Sequence, residues 1–157
     1  MKARNASYND LETLTGFQIQ MAYETEGIKL NEEVVRKGIT AVIHDSTRGK
    51  YIVVENEKKI IACCMITPEW SDWRCCWVLW LQSVYVEPAY RSTGVFKFLF
   101  NHIKKQVINS SEYAGIRLYV DKRNQSAAAI YTKLNMNSDH YYMFEWLKNE
   151  NDSVVQM

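Results

Sequence analysis

The chain has 157 residues, 47% of them hydrophobic, and a formal net charge of +1, which suits one domain with a core that needs no staples. That balance argues against a disordered chain and, with no basic stripe along it, against a nucleic-acid-binding surface. The first seven residues contain no apolar leader core and no apolar run reaches membrane-spanning length, so no membrane association and a cytosolic location are expected.

Residues 2–6 read as a short first strand. Asn9 or Asp10 then caps a helix whose apolar stripe is Leu11, Leu14, Phe17, Gln18 and Met21, interrupted at Gly27. Asn31 caps a second helix through Glu32, Val34, Val35 and Ile39. Strands follow at 51–55, 60–67 and 78–86, with a polar hairpin turn at 56–59. Val95, Phe98, Leu99, Ile103 and Val107 mark one face of a long helix, and His102 beside them reads as a packed histidine. A strand at 118–121, a helix opened by Asn124 and a last strand at 141–146 complete the order. The polar tail from Lys148 is expected to fray. No repeat, linker or low-complexity tract divides the chain, so 1–157 is expected to form a single domain.

The four cysteines form two adjacent pairs, Cys63-Cys64 and Cys75-Cys76. Neighbours on a strand face opposite ways, so one pair cannot easily clamp one ion. Buried free thiols are expected, and no metal.

The most telling stretch runs from Val84, Tyr85 and Val86 through Glu87-Pro88-Ala89-Tyr90 to Arg91, Ser92, Thr93, Gly94, Val95, Phe96 and Lys97. A strand stops at a proline, a turn carries arginine, hydroxyls and one glycine, and a helix begins. That order puts free backbone N–H groups and the positive end of a helix beyond a strand tip, a good seat for phosphate oxygens.

This stretch resembles the acyl-CoA-binding signature of the GNAT superfamily of N-acetyltransferases. In that family a Val-x-Pro strand end leads into Gln/Arg-x-x-Gly-x-Gly/Ala. Here Val86-Glu87-Pro88 and the turn from Arg91 match it, and Phe96 departs from it where Gly or Ala is usual. A second likeness lies further on, where Asn124 opens an Ala-rich helix and Tyr131 follows seven residues later, as in the family. Read from the residues alone, Asn124 is equally a helix cap and Tyr131 a core aromatic. The resemblance covers nearly the whole chain. It implies an α/β (α+β) fold: a mixed, mostly antiparallel sheet with helices on both faces and two central parallel strands, 78–86 and 116–120, that splay apart.

The resemblance further implies acetyl-CoA as co-substrate and direct attack by an amine in a ternary complex. The backbone of Ser92 to Lys97, with Arg91, would hold the pyrophosphate, and the Val84–86 backbone would pair with pantetheine. The Val86 N–H would polarise the thioester carbonyl, Asn124 would contact the cofactor, and Tyr131 would protonate the leaving thiolate. A phenol of pKa near ~10 suits that donation. An unassisted lysine-like amine is only about one part in 2,500 neutral at pH 7, a penalty of roughly 4.6 kcal/mol. Trp80 and Gln82 occupy the strand before the turn, where many relatives place a carboxylate, and neither takes a proton. Glu69 and Asp72, in the connection before that strand, and Glu24 and Glu26, at the first helix break, are the candidates for a water-relayed base, with Glu26 and Glu69 first. Each also reads as a plain surface carboxylate. Trp70, Trp73, Trp77 and Trp80 either wall a pocket for a cationic amine, pack the core or form a homodimer contact. The acceptor is expected to be a small-molecule or peptide amine. An acyl-CoA-binding module of the same fold without turnover is the alternative.

Overall fold

Five runs rich in β-formers assemble side by side in chain order into one sheet. They are β1 (Lys2–Asn5), β2 (Lys50–Asn56), β3 (Lys59–Ser71), β4 (Cys76–Val86) and β5 (Tyr113–Leu118). A computed structural model describes residues 1–147. The chain divides into two compact units, Met1–Leu118 and Tyr119–Met157, and the whole sheet belongs to the first. Its first three junctions are antiparallel and the last, β4 to β5, is parallel, so the sheet is mixed and mostly antiparallel as expected.

The first unit carries three α-helices: α1 (Leu11–Glu26), α2 (Glu32–His44) and α3 (Val95–Ile108). Gly27, at φ +70°, ends α1 in the left-handed conformation that glycine adopts without strain. Asn31 caps α2 by accepting the Val34 N–H. Asp10 stands at the start of α1 but makes no cap bond there. Its carboxylate is taken by the Ser7 N–H at 2.7 Å and by a two-pronged Arg4 guanidinium at 2.8 and 3.0 Å. Those bonds, the Arg4 one foremost, hold the Asp10 carboxyl below its ordinary pKa against the opposing effect of burial.

Strand alternation sorts the core into two faces. Leu11, Leu14, Phe17 and Ile39 of α1 and α2 pack with Tyr51, Val53, Cys63 and Tyr85 on one face. Ile52, Val54 and Cys64 turn to the other and are fully buried. The buried residues of α3 are Val95, Leu99, Phe100 and Ile103, and the helix packs against β2 and β5. Cys63 and Cys64 thus point to opposite faces as free thiols, and burial pushes the Cys63 thiol up to about 12.

The β4–β5 ladder positions the site. It runs from Trp77 opposite Tyr113 to Leu81 opposite Leu118, while β4 continues to Val86. Just past that last pair, Ser83 takes a left-handed φ of +52° and the β3–β4 register shifts between Cys63 and Met65. The parallel ladder therefore ends just before a bulge, and β4 runs on without β5 beside it. The partner strand is displaced from the expected 116–120, because pairing with Trp77 starts β5 early, through Gly115, where sequence preference for a strand is weak.

The second unit contains α4 (Gln125–Lys133). The strand expected at 141–146 does not form; those residues join no ladder, and Tyr142, Phe144 and Trp146 are well exposed. Apolar alternation shows that a segment can be a strand, but only cross-strand pairing makes it one. The polar tail expected to fray lies outside the described residues. Among those described, no helix is long and apolar enough to cross a membrane.

Candidate active site

β4 ends where the Glu87 N–H bonds to Ile61 O at 2.9 Å. Hydrogen-bonded and non-bonded residues alternate along an antiparallel pair. Val86, one residue back and opposite Ala62, therefore directs its own N–H and C=O to the other edge, the one that parts from β5.

A single 3₁₀ turn follows at Pro88–Tyr90, stapled by Thr93 Oγ1 donating to Tyr90 O at 2.7 Å. Ser92 and Gly94 both adopt left-handed φ, +63° and +89°. Gly94 then leads directly into α3. The first intrahelical bond is Phe98 N–H to Gly94 O at 2.9 Å, so the N–H groups of Val95, Phe96 and Lys97 precede any helical partner. Among the described residues no side chain caps this end. Space at Gly94 is open: a Cβ there would meet nothing within 4 Å, so glycine serves for its backbone angle rather than its size. The chain has built a positive, uncapped helix end next to a parted strand edge, which fits the pyrophosphate and pantetheine of acetyl-CoA.

Phe96 breaks the small-residue pattern and is half-buried at the start of α3. Its ring lies 6.1 Å from that of Phe100, one turn along α3. Lys97, Ser92 and Thr93 are exposed.

Arg91 folds back along β4. Its Nε donates to Val86 O at 2.9 Å, its Nη2 reaches Glu24 Oε2 at 2.6 Å, and its guanidinium lies 5.4 Å from the centre of the Tyr85 ring. Tyr85 packs on Phe17 of α1, so this guanidinium stands on the α1 side of the sheet. Burial raises the Glu24 carboxyl, but bonds from Gln20 and Arg91 outweigh it and hold the group below its ordinary pKa. Glu26 is exposed in the last turn of α1.

Glu69 lies within β3, opposite Val78, rather than in the connection. Beyond Ile66 β3 pairs with β4 alone, so Pro68 costs no ladder bond and the strand runs on to Ser71. Glu69 accepts from Arg117 Nη1 at 2.6 Å and from the Trp80 indole N–H. Gln82 donates to Thr67 on the same face at 2.9 Å. Three strands thus present a polar patch beside the bulge, on the face that carries Cys63 and α1. Asp72 accepts the Trp73 N–H in the hairpin turn, away from that patch in register.

The tryptophans do not gather. Trp70 and Trp77 face each other edge to face, 5.0 Å apart, on the side of the sheet opposite Trp80. Trp73 is 88% exposed at the turn. Of the readings their spacing leaves open, one shared pocket wall is not formed, because the four divide between two faces and a loop tip. Arg117 is the site residue that sequence reasoning passes over; a charge inside Gly115-Ile116-Arg117-Leu118 is the available signal.

In the second unit, Asn124 caps α4 by accepting the Ala127 N–H at 3.0 Å. Tyr131 lies in the same helix, half-buried, and burial raises its phenol above the usual value.

An uncapped helix start at a strand tip, beside a parallel ladder that ends before its longer strand does, suits an acyl-CoA-using class of fold. The acetyltransferase (GNAT) family model matches residues 15–136, and the chain belongs to that family. It is an N-acetyltransferase by membership. A possible acetyltransferase from Clostridium difficile 630 is 42% identical, with a TM-score of 0.88 over 94% of this chain and 97% of that one. A protein described as a predicted acetyltransferase with acetyl-CoA, from Clostridium acetobutylicum, shares the fold at 16% identity and a TM-score of 0.70, covering 92% and 95% of the two chains. No curated protein matches the chain.

Proposed function

We propose that the protein transfers an acetyl group from acetyl-CoA to a primary amine by direct attack in a ternary complex, with the whole chain working as one cytosolic acetyltransferase domain. The observation that carries this is the parted β4 edge leading into the uncapped start of α3 through two left-handed residues. Bound acetyl-CoA supplies the activated acetyl group. The amides of Ser92 to Lys97 and the α3 dipole hold its phosphates. The edge of Val84, Tyr85 and Val86 aligns pantetheine, and the Val86 N–H donates to the carbonyl oxygen as negative charge develops there. Tyr131 gives its proton to the departing thiolate; burial raises its pKa and so keeps that proton on the phenol until it is needed. Asn124 joins the cofactor contacts by the family resemblance. Glu69, and after it Glu26, takes the amine's proton through water.

The acceptor is a small-molecule or peptide amine, cationic before it reacts. Support comes from the Glu69 patch beside the bulge and from Glu24 at the end of α1, carboxylates on the α1 face of β4. Millimolar acetyl-CoA should raise the melting temperature by mass action and give calorimetric heat. Thiol release over a panel of amines, with acetylated product confirmed by mass, then identifies the acceptor class. No melting shift and no heat refute the reading. Binding without thiol release from any amine turns it into a binding module.

A further inference from the structure

One guanidinium is claimed twice at this site. Arg91 is the cation next in sequence to the cradle amides, yet its side chain is engaged on the α1 side, by Glu24 Oε2 at 2.6 Å and Val86 O at 2.9 Å. With Nε and Nη2 committed to those two oxygens on the α1 side, the guanidinium cannot turn its full fork to a diphosphate in the cradle without giving them up. Its Cα, however, adjoins Ser92, where the cradle begins, and rotation about its four side-chain bonds carries the head from one place to the other.

We propose that Glu24 is a positioning residue that competes with the cofactor's pyrophosphate for Arg91, so that acetyl-CoA binding draws the guanidinium off α1 and frees both Glu24 and Val86 O. The proposal rests on the acetyl-CoA reading above. Two physical points favour it. The Glu24–Arg91 pair is partly exposed, with side chains 27% and 45% accessible, so it is weak enough for a doubly charged phosphate group to break. Arg91 also covers the one Val86 group that can accept an amide N–H on the parted edge, and its departure opens that carbonyl to pantetheine at the step where it is needed. The freed Glu24 carboxylate then stands on the α1 face with no internal cation, ready for the ammonium group of an acceptor. By linkage, cofactor and cationic acceptor each favour the other's binding.

The test is CoA affinity by titration calorimetry in the parent, Glu24→Gln, Arg91→Gln and the double variant, each confirmed folded by its melting curve. Removing a competitor tightens binding, whereas removing a support loosens it. Glu24→Gln is expected to bind CoA about two- to five-fold more tightly, the range set by an exposed ion pair. Arg91→Gln is expected to bind more weakly, and the double variant to match Arg91→Gln, because Glu24 acts only through Arg91. Unchanged or weaker binding in Glu24→Gln overturns the proposal. So does a double variant still tighter than Arg91→Gln, which marks a general charge effect. A parent that binds no CoA refutes the acetyl-CoA reading itself; a parent that binds CoA with Glu24→Gln unchanged refutes this proposal alone.

Discussion

The two sides of the site are built from different materials. The proposed cofactor side is one unbroken stretch of backbone, from Val84 to Lys97, whose useful groups are amides fixed by a strand end, two left-handed residues and a helix start. The proposed acceptor side is made of side chains delivered by separate elements. Arg91 meets Glu24 across 67 residues of sequence, and Arg117 meets Glu69 across 48. Backbone amides can be aimed by short-range signals, whereas partners for a side chain are chosen by the fold.

The sharpest break of this comparison is Tyr131→Phe. Tyr131 is a single side-chain atom's worth of chemistry, so the cofactor side should not notice its loss. Turnover should fall about 100-fold or more with CoA affinity nearly unchanged, since a positioned acid contributes roughly 10²–10⁴ in rate. Because burial raises the phenol, the parent's kcat should fall on the alkaline side at a higher pH than an ordinary phenol would allow. Steady-state kinetics beside CoA titration decide it. Equal kcat in both proteins returns Tyr131 to packing.

Gly94→Val attacks the backbone side. A valine meets no neighbour at Gly94, so the damage is conformational: φ of +89° is strained for a β-branched residue by ~1–2 kcal/mol. CoA affinity should drop about ten-fold as the amides of Val95 to Lys97 lose their aim, with a smaller loss of stability. Asn tolerates left-handed angles better, so Gly94→Asn should keep most of the affinity. If Val and Asn bind CoA equally well, the turn's backbone angles do not set affinity.

The same contrast explains what is legible in the sequence. The cap at Asn31, the stop at Gly27, the Val86–Pro88 strand end and the α3 start are each announced within a few residues, and each stands where expected. Phe96 has a ring neighbour within reach of sequence reasoning too, Phe100 one turn on. The failures are all matters of pairing. β5 starts early because Trp77 pairs with Tyr113, and Glu69 lies within β3 because the hairpin continues past Pro68. The four tryptophans divide between faces because 70 and 77 are cross-strand partners, while 80 falls on the opposite face. The Arg91–Glu24 pair is likewise a matter of pairing in space that nothing in the sequence announces.

The smallest expected effect divides the acceptor side itself, between a carboxylate fixed in the sheet and one at a helix end. Glu69 is held by Arg117 and Trp80 on the face beside the bulge, whereas Glu26 is exposed in the last turn of α1. An amine of pKa ~10.4 supplies little neutral nucleophile at pH 7, so a relay residue matters most there and less as pH rises. Glu69→Gln should therefore lower kcat/KM several-fold near pH 7 and recover toward the parent by about pH 9–10, a modest share of the 10²–10⁴ a direct base contributes. The amide keeps the side chain's shape and can still accept from Arg117, which limits structural loss. Glu26→Gln, with no fixed position in the sheet, should change kcat/KM by less than about two-fold at any pH. The reverse order would move the relay to the end of α1. Parallel loss at every pH in Glu69→Gln would mean that Glu69 holds Trp80 and Arg117 in place rather than passing a proton.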